Sequence, residues 1–201
     1  GFGITDQPLD YSMEAYSKWI ADFMEGKGIE KAHLAGHSLG GYILATFGVL
    51  FPKKVERLSF IHSHVGADGE HRLKKRNDIA KAIGKYGKKP FLKLFYGGLF
   101  NPENVENNIA DIEQMFDQGM HMPDKTLIEL QYAMQKRKSC LNTLATAGFP
   151  MSFFAGAFDS LIPLEEIEKQ VQQLPNASLT TEKVNHMGQF ECPKRVVEFL
   201  L

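Results

Sequence analysis

The sequence has few cysteines and no long apolar run. Its 201 residues include only Cys140 and Cys192, which have no CxxC spacing and no other metal-ligating residues around them. This scarcity argues against a cysteine-bound metal; one disulfide stays open, but two buried thiols in a reducing compartment are favoured. No segment approaches the run of about 18 apolar residues that a membrane-spanning helix needs. The sequence therefore predicts no membrane span.

The chain also lacks an excess of charge of either sign. Its formal net charge is -1, with 23% charged residues, so no overall field attracts nucleic acid and we expect no nucleic-acid partner. The first residues show neither a charged n-region nor an apolar h-region of the kind found in signal peptides. A cytoplasmic location is therefore the expectation.

Short apolar segments alternate with amphipathic or buried helical patterns along most of the chain. This alternation predicts an α/β fold with a mostly parallel, doubly wound sheet flanked by helices. The predicted strands cover residues 31–36, 55–65, 151–158 and 177–184, and the predicted helices cover residues 11–28, 39–52, 164–174 and 192–201.

One long segment, residues 66–149, breaks the alternation with mostly helical patterns. Residues 101–117, with Asn101 placed to cap them, and residues 124–138 each carry the apolar spacing of an amphipathic helix. An insertion this long is not a bare loop. We predict a helical cap over the sheet edge, with a first core part (1–65), the cap (66–149) and a second core part (150–201).

The segment Gly36-His37-Ser38-Leu39-Gly40 lies between a predicted strand and a buried helix and fits the G-x-S-x-G pattern. At such a tight turn the serine is held in a strained conformation, and Gly36 and Gly40 are expected to remove side-chain collisions with it. Gly41 is expected to allow close packing of helix and strand. The Leu39 N–H at the helix start is placed to bind a developing oxyanion.

A serine hydroxyl needs a base, and the base needs an orienting acid. His186 follows the last predicted strand, and Asp159 follows the strand before it, so both are expected at the same sheet edge as Ser38. Asp68 is the alternative acid. For Asp159, the alternative interpretation is an N-cap of the helix near Pro163. His33 and His37 beside the serine are expected to be structural, and His121 lies in the predicted cap.

The sequence resembles the α/β-hydrolase superfamily, in the subgroup with a helical cap. GHSLGG (36–41), GAFDSLIP (156–163) and NHMGQFECP (185–193) match its nucleophile, acid and histidine segments, and GFGITDQP (1–8) resembles its loop after strand four. The resemblance implies Ser38 as nucleophile, Asp159 as acid, His186 as base and Leu39 as an oxyanion donor.

The chain departs from this family at its start. The family takes a second oxyanion N–H from a loop after strand three, and that loop and the first three or four strands have no counterpart from Gly1 onward. Either the chain is incomplete or it is a remnant. We expect the natural protein to carry roughly 50–70 further residues before Gly1, the length of three or four strands with short connections.

The expected activity is that of a serine hydrolase acting on a small, apolar carboxylic ester, lactone or thioester through an acyl-enzyme, without cofactor or metal. Hydrolysis of a carbon–carbon bond and cofactor-free perhydrolysis use similar triads and stay open. A non-catalytic ligand-binding homologue is a further alternative. A metal hydrolase built on His62 and His64, with Asp68 and His71 nearby, is the last one weighed.

Apolar side chains of the predicted cap could line an adaptable substrate pocket, or could equally form its core. These are Phe95, Phe100, Met115, Met120, Met122 and Met134.

Overall fold

The computed structural model describes Pro8 and residues 10–201. In this part of the chain, four strands form one parallel sheet in sequential order, and each connection carries at least one helix. The strands are β1 (Ala32–His37), β2 (Val55–Ile61), β3 (Met151–Gly156) and β4 (Ala177–Glu182). The six residues of β3 are all buried, as expected for a parallel strand covered on both faces. The predicted α/β fold with a parallel sheet is confirmed.

Helices make up most of the remaining described chain. They are α1 (Met13–Gly26), α2 (Leu39–Leu50), α3 (Glu70–Tyr86), α4 (Lys88–Gly97), α5 (Ile109–His121), α6 (Asp124–Lys136), α7 (Leu141–Leu144), α8 (Leu164–Val171), α9 (Gly188–Glu191) and α10 (Pro193–Leu200). None of these helices, taken over the described residues, combines the length and apolar character needed to cross a bilayer.

Residues 13–67 and 138–201 form one compact unit around the sheet. Its core contains Phe60 and Phe153 on neighbouring strands, whose rings stack with centroids 4.6 Å apart. Aromatic side chains of this size bury large apolar areas, so they anchor the middle of the sheet. Cys140 and Cys192 both lie in this unit as free thiols, and Cys140 is buried whereas Cys192 is half-buried, although both were expected to be buried.

The second compact unit consists of residues 68–137 together with the described residues up to Ser12. Four helices, α3 to α6, pack around a cluster formed by Ile83, Leu92 and Leu127. Met120 and Met122 pack against this cluster, so these two methionines serve the core of the helical unit. Residues 138–149 belong with the sheet unit; the three-part domain division drawn from the sequence stays a prediction.

The segment expected to be one helix over 101–117 is divided. The Asn101 side chain accepts a hydrogen bond from the Glu103 N–H at 3.2 Å, but it caps a 3₁₀ turn (Pro102–Asn104), and α5 starts only at Ile109. The Asn108 side chain donates to the carbonyl oxygen of Asn104 at 2.7 Å. Asparagine side chains compete for backbone groups in this way, which explains the late start of the helix.

Candidate active site

The carboxyl ends of the four parallel strands deliver four polar side chains to one place. Ser38 follows β1 directly, His62 follows β2 directly, Asp159 stands three residues after β3, and His186 stands four residues after β4. Because the strands run parallel in sequential order, these ends share one edge of the sheet. Such an edge is where open α/β sheets bind their ligands.

Ser38 has a strained backbone held by three hydrogen bonds. Its φ is 51° and its ψ is -117°, a region that non-glycine residues rarely adopt. The Ser38 N–H donates to the carbonyl oxygen of Ile61 at 2.9 Å. The Ser38 carbonyl oxygen accepts from the Gly41 N–H at 2.9 Å and from the Ser63 hydroxyl at 2.8 Å. These bonds fix the turn and place Leu39 as the first residue of α2, where the amides have no intrahelical acceptor.

Two of the three glycines around this turn have no room for a side chain. A Cβ at Gly36 would lie 2.6 Å from the Gly40 carbonyl carbon, and a Cβ at Gly41 would collide with the Ser63 side chain. A Cβ at Gly40 would meet no atom of the described residues within 4 Å. The sequence argument expected collisions at Gly36 and Gly40: the described part of the chain offers such a reason for Gly36 but none for Gly40, and at Gly41 the close neighbour is the Ser63 side chain.

Ser38, His186 and Asp159 form a continuous hydrogen-bonded chain. The Oγ of Ser38 lies 2.9 Å from Nε2 of His186, and Nδ1 of His186 lies 2.8 Å from Oδ2 of Asp159. His186 and Asp159 are buried, whereas Ser38 is partly exposed. With the proton on Nδ1 donated to Asp159, the Nε2 atom is free to accept the serine proton. The arrangement can therefore deprotonate the hydroxyl as it attacks.

Asp159 is saturated with hydrogen-bond donors. Its Oδ1 accepts from the N–H groups of Leu161 and Ile162, each at 2.9 Å, and its Oδ2 accepts from both His186 and His62. Burial by itself raises the pKa of this carboxyl group, but the hydrogen bonds from His186 and His62 outweigh it and hold the pKa far below its usual range. Asp159 is therefore ionised at neutral pH. Because Asp159 accepts hydrogen bonds from the backbone N–H groups of Leu161 and Ile162, it also stabilises the turn that follows it. This resembles the capping role that the sequence analysis gave as the alternative.

The loops that carry the acid and the histidine are tied to one another. The Phe158 N–H donates to the carbonyl oxygen of Val184 at 3.0 Å. The Ser160 N–H donates to the Asn185 side chain at 3.1 Å. Because these bonds cross between the β3 and β4 loops, the separation of Asp159 and His186 is set by the backbone as well as by their own contact.

His62 is a neighbour of Asp159 that the sequence analysis did not place in this site. The strand predicted over 55–65 ends at Ile61, and His62 has a φ of 46°, so His62 and His64 do not share one strand face as the metal alternative required. The Nδ1 of His62 lies 3.1 Å from Oδ2 of Asp159, whereas His64 contacts Gln170 and Glu166. The sequence signal that could have placed His62 in the site is a histidine directly after an apolar strand, at the sheet edge that also receives Ser38 and Asp159.

His37 supports His186 from the other side. Its Nε2–H donates to the carbonyl oxygen of His186 at 2.8 Å. Burial, with the neighbouring His186 adding to it, lowers the pKa of His37 to about 3. His37 is therefore neutral in the folded protein. His33 instead contacts the Ser59 hydroxyl at 2.7 Å, and His121 contacts its own helix through the Asp117 carbonyl oxygen; both are structural contacts.

Asp68, the alternative acid, is engaged with arginines of the helical unit. Its carboxylate contacts Arg76 Nε at 2.5 Å and Arg137 Nη2 at 2.7 Å. Burial raises the pKa of Asp68, but hydrogen bonds from Arg137 and Arg76 outweigh it and bring the pKa to about 2. These contacts give Asp68 a structural role among the helices.

One group of side chains has the composition of a metal site. His62, His186 and Asp159 each offer one possible ligand atom, and these three atoms lie within 4.8 Å of one another. Nδ1 of each ring and Oδ2 of Asp159 take part in the hydrogen bonds described above. The N–H groups of the two histidines therefore point at the Asp159 carboxylate, where a bound cation would otherwise lie. Hydrogen bonding alone accounts for this cluster.

The match to known families agrees with this geometry. The sequence profile of the alpha/beta hydrolase fold family matches residues 1–193. The chain belongs to this family. The resemblance drawn from the GHSLGG, GAFDSLIP and NHMGQFECP segments is confirmed at the level of the superfamily and its fold; the resemblance of GFGITDQP falls almost entirely on residues outside the described part of the chain.

Several relatives carry names or have solved structures. A protein named carbamate hydrolase RutD in Azorhizobium caulinodans is 27% identical over 84% of this chain and 63% of its own length. An uncharacterized protein of Mycobacterium tuberculosis is 39% identical over 30% of this chain and 18% of its own length. The chain thus spans less than two thirds of these relatives. The structure of a thermophilic esterase from Thermogutta terrifontis matches with a TM-score of 0.89 at 22% identity, over 98% of this chain and 74% of that one.

Proposed function

We propose that this chain cleaves a small-molecule carboxylic ester, lactone or thioester, with Ser38 as nucleophile, His186 as general base and Asp159 as its orienting acid. The observation that carries the proposal is the 2.9 Å approach of Ser38 Oγ to His186 Nε2, with His186 Nδ1 held 2.8 Å from Asp159. The esterase named above shares the fold, which is consistent with this chemistry.

The reaction follows from the roles of these groups. His186 Nε2 takes the proton of Ser38 as Oγ attacks the carbonyl carbon, and the Leu39 N–H at the start of α2 is placed to stabilise the negative oxygen. His186 then donates its proton to the leaving alkoxide or thiolate as that bond breaks. Water, deprotonated in turn by His186, releases the acid from Ser38 and restores the hydroxyl.

A carbamate is the second candidate substrate class. It presents the same attackable carbonyl carbon with nitrogen on one side, and the relative named carbamate hydrolase matches 84% of this chain. A panel of p-nitrophenyl esters of increasing acyl length, a lactone, a thioester and a p-nitrophenyl carbamate separates the two classes by kcat/KM.

Comparison of Ser38→Ala with the matched variant Ser178→Ala tests the proposal. Ser178 is exposed on β4, so its replacement should leave turnover unchanged. Ser38→Ala should lower turnover of every cleaved substrate by several orders of magnitude, because no nucleophile remains. Turnover within tenfold of the wild type in a folded Ser38→Ala protein contradicts the assignment.

A further inference from the structure

His62 occupies the position between the nucleophile and the acid in the order of the sheet. β2, which ends at Ile61, lies between β1 and β3. Its following residue therefore reaches the sheet edge between Ser38 and Asp159. The His62 side chain is completely buried there, and a buried polar ring needs defined partners for both of its nitrogens.

Both ring nitrogens of His62 have such partners, and these fix its tautomer. The Gly188 N–H donates to Nε2 at 3.1 Å, so Nε2 carries the lone pair. Nδ1 therefore carries the proton and donates it to Oδ2 of Asp159 at 3.1 Å. Gly188 is two residues beyond His186, so His62 links the acid to the loop of the base.

Two glycines, which have no side chains, leave the space that the His62 ring occupies. A Cβ at Gly188 would lie 2.6 Å from His62 Nε2, and a Cβ at Gly156 would lie 3.0 Å from His62 Cε1. The ring also meets Phe154 edge to face, with centroids 5.6 Å apart. The position of the imidazole is therefore enclosed by its neighbours.

His62 also holds an unfavourable backbone conformation. Its φ of 46° is one of two positive values among the described non-glycine residues, and the other belongs to Ser38. Such a conformation is unfavourable and persists only where the surroundings impose it. Strain at a buried residue that contacts a triad residue points to a role in the site.

We propose that His62 is a positioning residue, which donates its Nδ1–H to Asp159 and thereby fixes the carboxylate that orients His186. This inference rests on the proposed function for its catalytic consequence. The second donor on Oδ2 restricts rotation of the carboxylate. Loss of this donor lets Asp159 move and disturbs the alignment of His186 with Ser38, and misplacement of about 1 Å costs about 100-fold in rate.

The test compares His62→Leu with His62→Asn. The two replacements have nearly the same shape, but only asparagine carries an N–H close to the position of Nδ1, and it tolerates positive φ well. We expect His62→Leu to lower kcat by about 10–100-fold with KM little changed, and His62→Asn to recover most of that loss. A kcat within twofold of the wild type in folded His62→Leu overturns the proposal, and so does an equal loss of kcat in both variants.

A second measurement needs neither turnover nor a variant. The ¹⁵N resonances of histidines in the wild-type protein report which ring nitrogen is protonated. We expect neutral His62 with the proton on Nδ1 at pH 7. A proton on Nε2 with none on Nδ1 overturns the proposal, because the ring would then have no N–H to donate to Asp159.

The Ser38→Ala variant separates this inference from the proposed function. If Ser38→Ala abolishes turnover and His62→Leu does not lower it, only the inference about His62 fails. If Ser38→Ala keeps full turnover, the proposed nucleophile is wrong, and the His62 tautomer still decides whether the ring holds Asp159.

Discussion

Nε2 of His186 lies 2.9 Å from Oγ of Ser38, although 148 positions separate the two residues in the sequence. The parallel sheet brings them together, since each follows the carboxyl end of a strand. Asp159 and His62 arrive by the same route from the two strands between them. The fold therefore assembles the candidate site from the segments that follow four different strands, and each segment supplies one of the four side chains.

The acid can be tested by replacing each candidate carboxylate. Asp159→Asn should lower kcat by about 10⁴-fold, because an amide at this position favours the wrong tautomer of His186. Asp68→Asn should mainly destabilise the helical unit, in which Asp68 joins Arg76 of α3 to Arg137 just after α6. Steady-state kinetics and thermal melting of both variants check this. If folded Asp68→Asn loses turnover and Asp159→Asn keeps it, the acid has been assigned wrongly.

Stability should fall on mild acidification because of two neutral histidines. Burial lowers the pKa of His37 to about 3 and also lowers the pKa of His62, whereas histidines in the unfolded chain titrate near 6.5. At pH values between about 6.5 and the lower pKa values of the folded protein, the unfolded state binds more protons than the folded state. The free energy of unfolding should therefore decrease as the pH falls, by up to about 1.4 kcal/mol per pH unit for each histidine that stays neutral.

Denaturant unfolding at pH 5, 6 and 7 measures this dependence. His37→Gln is the informative variant, since glutamine can donate to the His186 carbonyl oxygen in place of Nε2–H and does not titrate. Its stability should depend less steeply on pH than that of the wild type. An unchanged slope in His37→Gln would show that His37 does not contribute.

The turn at Ser38 should tolerate no side chain at Gly36. A Cβ there would lie 2.6 Å from the Gly40 carbonyl carbon, which is backbone and cannot rotate away. Gly36→Ala should therefore lower the free energy of unfolding by about 1–3 kcal/mol and reduce activity. Gly148→Ala is the control, because a Cβ at exposed Gly148 would meet no described atom within 4 Å. Equal stability of the two variants would argue against a sterically closed turn.

Chelation tests the alternative use of His62, His186 and Asp159 as metal ligands. In the proposed mechanism the two histidines carry protons on Nδ1, so EDTA should leave turnover unchanged. Loss of activity with EDTA, followed by recovery on addition of zinc, would favour the metal-dependent alternative instead.

The sheet and much of the site could be predicted because their signals are local. The apolar run at β3 reports the need for burial on both faces of the strand. Gly36 beside Ser38 reports a closed turn with no room for a side chain. The strands that precede Asp159 and His186 also indicated one common sheet edge, which is where the structure places both residues.

The role of His62 could not be read from the sequence, since it depends on contacts far along the chain. Its partners Asp159 and Gly188 lie 97 and 126 positions away. His62 has a positive φ, and β2 ends one residue earlier, at Ile61. The alternation of side chains along a strand, which was used to pair His62 with His64, therefore does not extend to these two residues. In residues 101–108, the side chains of Asn101 and Asn108 bond to the backbone and 3₁₀ turns stand where the α-helix was expected, which residue periodicity does not capture.

Covalent labelling with a fluorophosphonate tests the central claim most directly. Only a hydroxyl activated by a neighbouring base reacts readily with such a reagent, so we expect one adduct per chain, located by peptide mass spectrometry on Ser38. The adduct should be absent in Ser38→Ala and form much more slowly in His186→Ala, while Ser178→Ala should label like the wild type. A full adduct on another residue, or undiminished ester turnover by protein that is fully labelled at Ser38, would contradict the account.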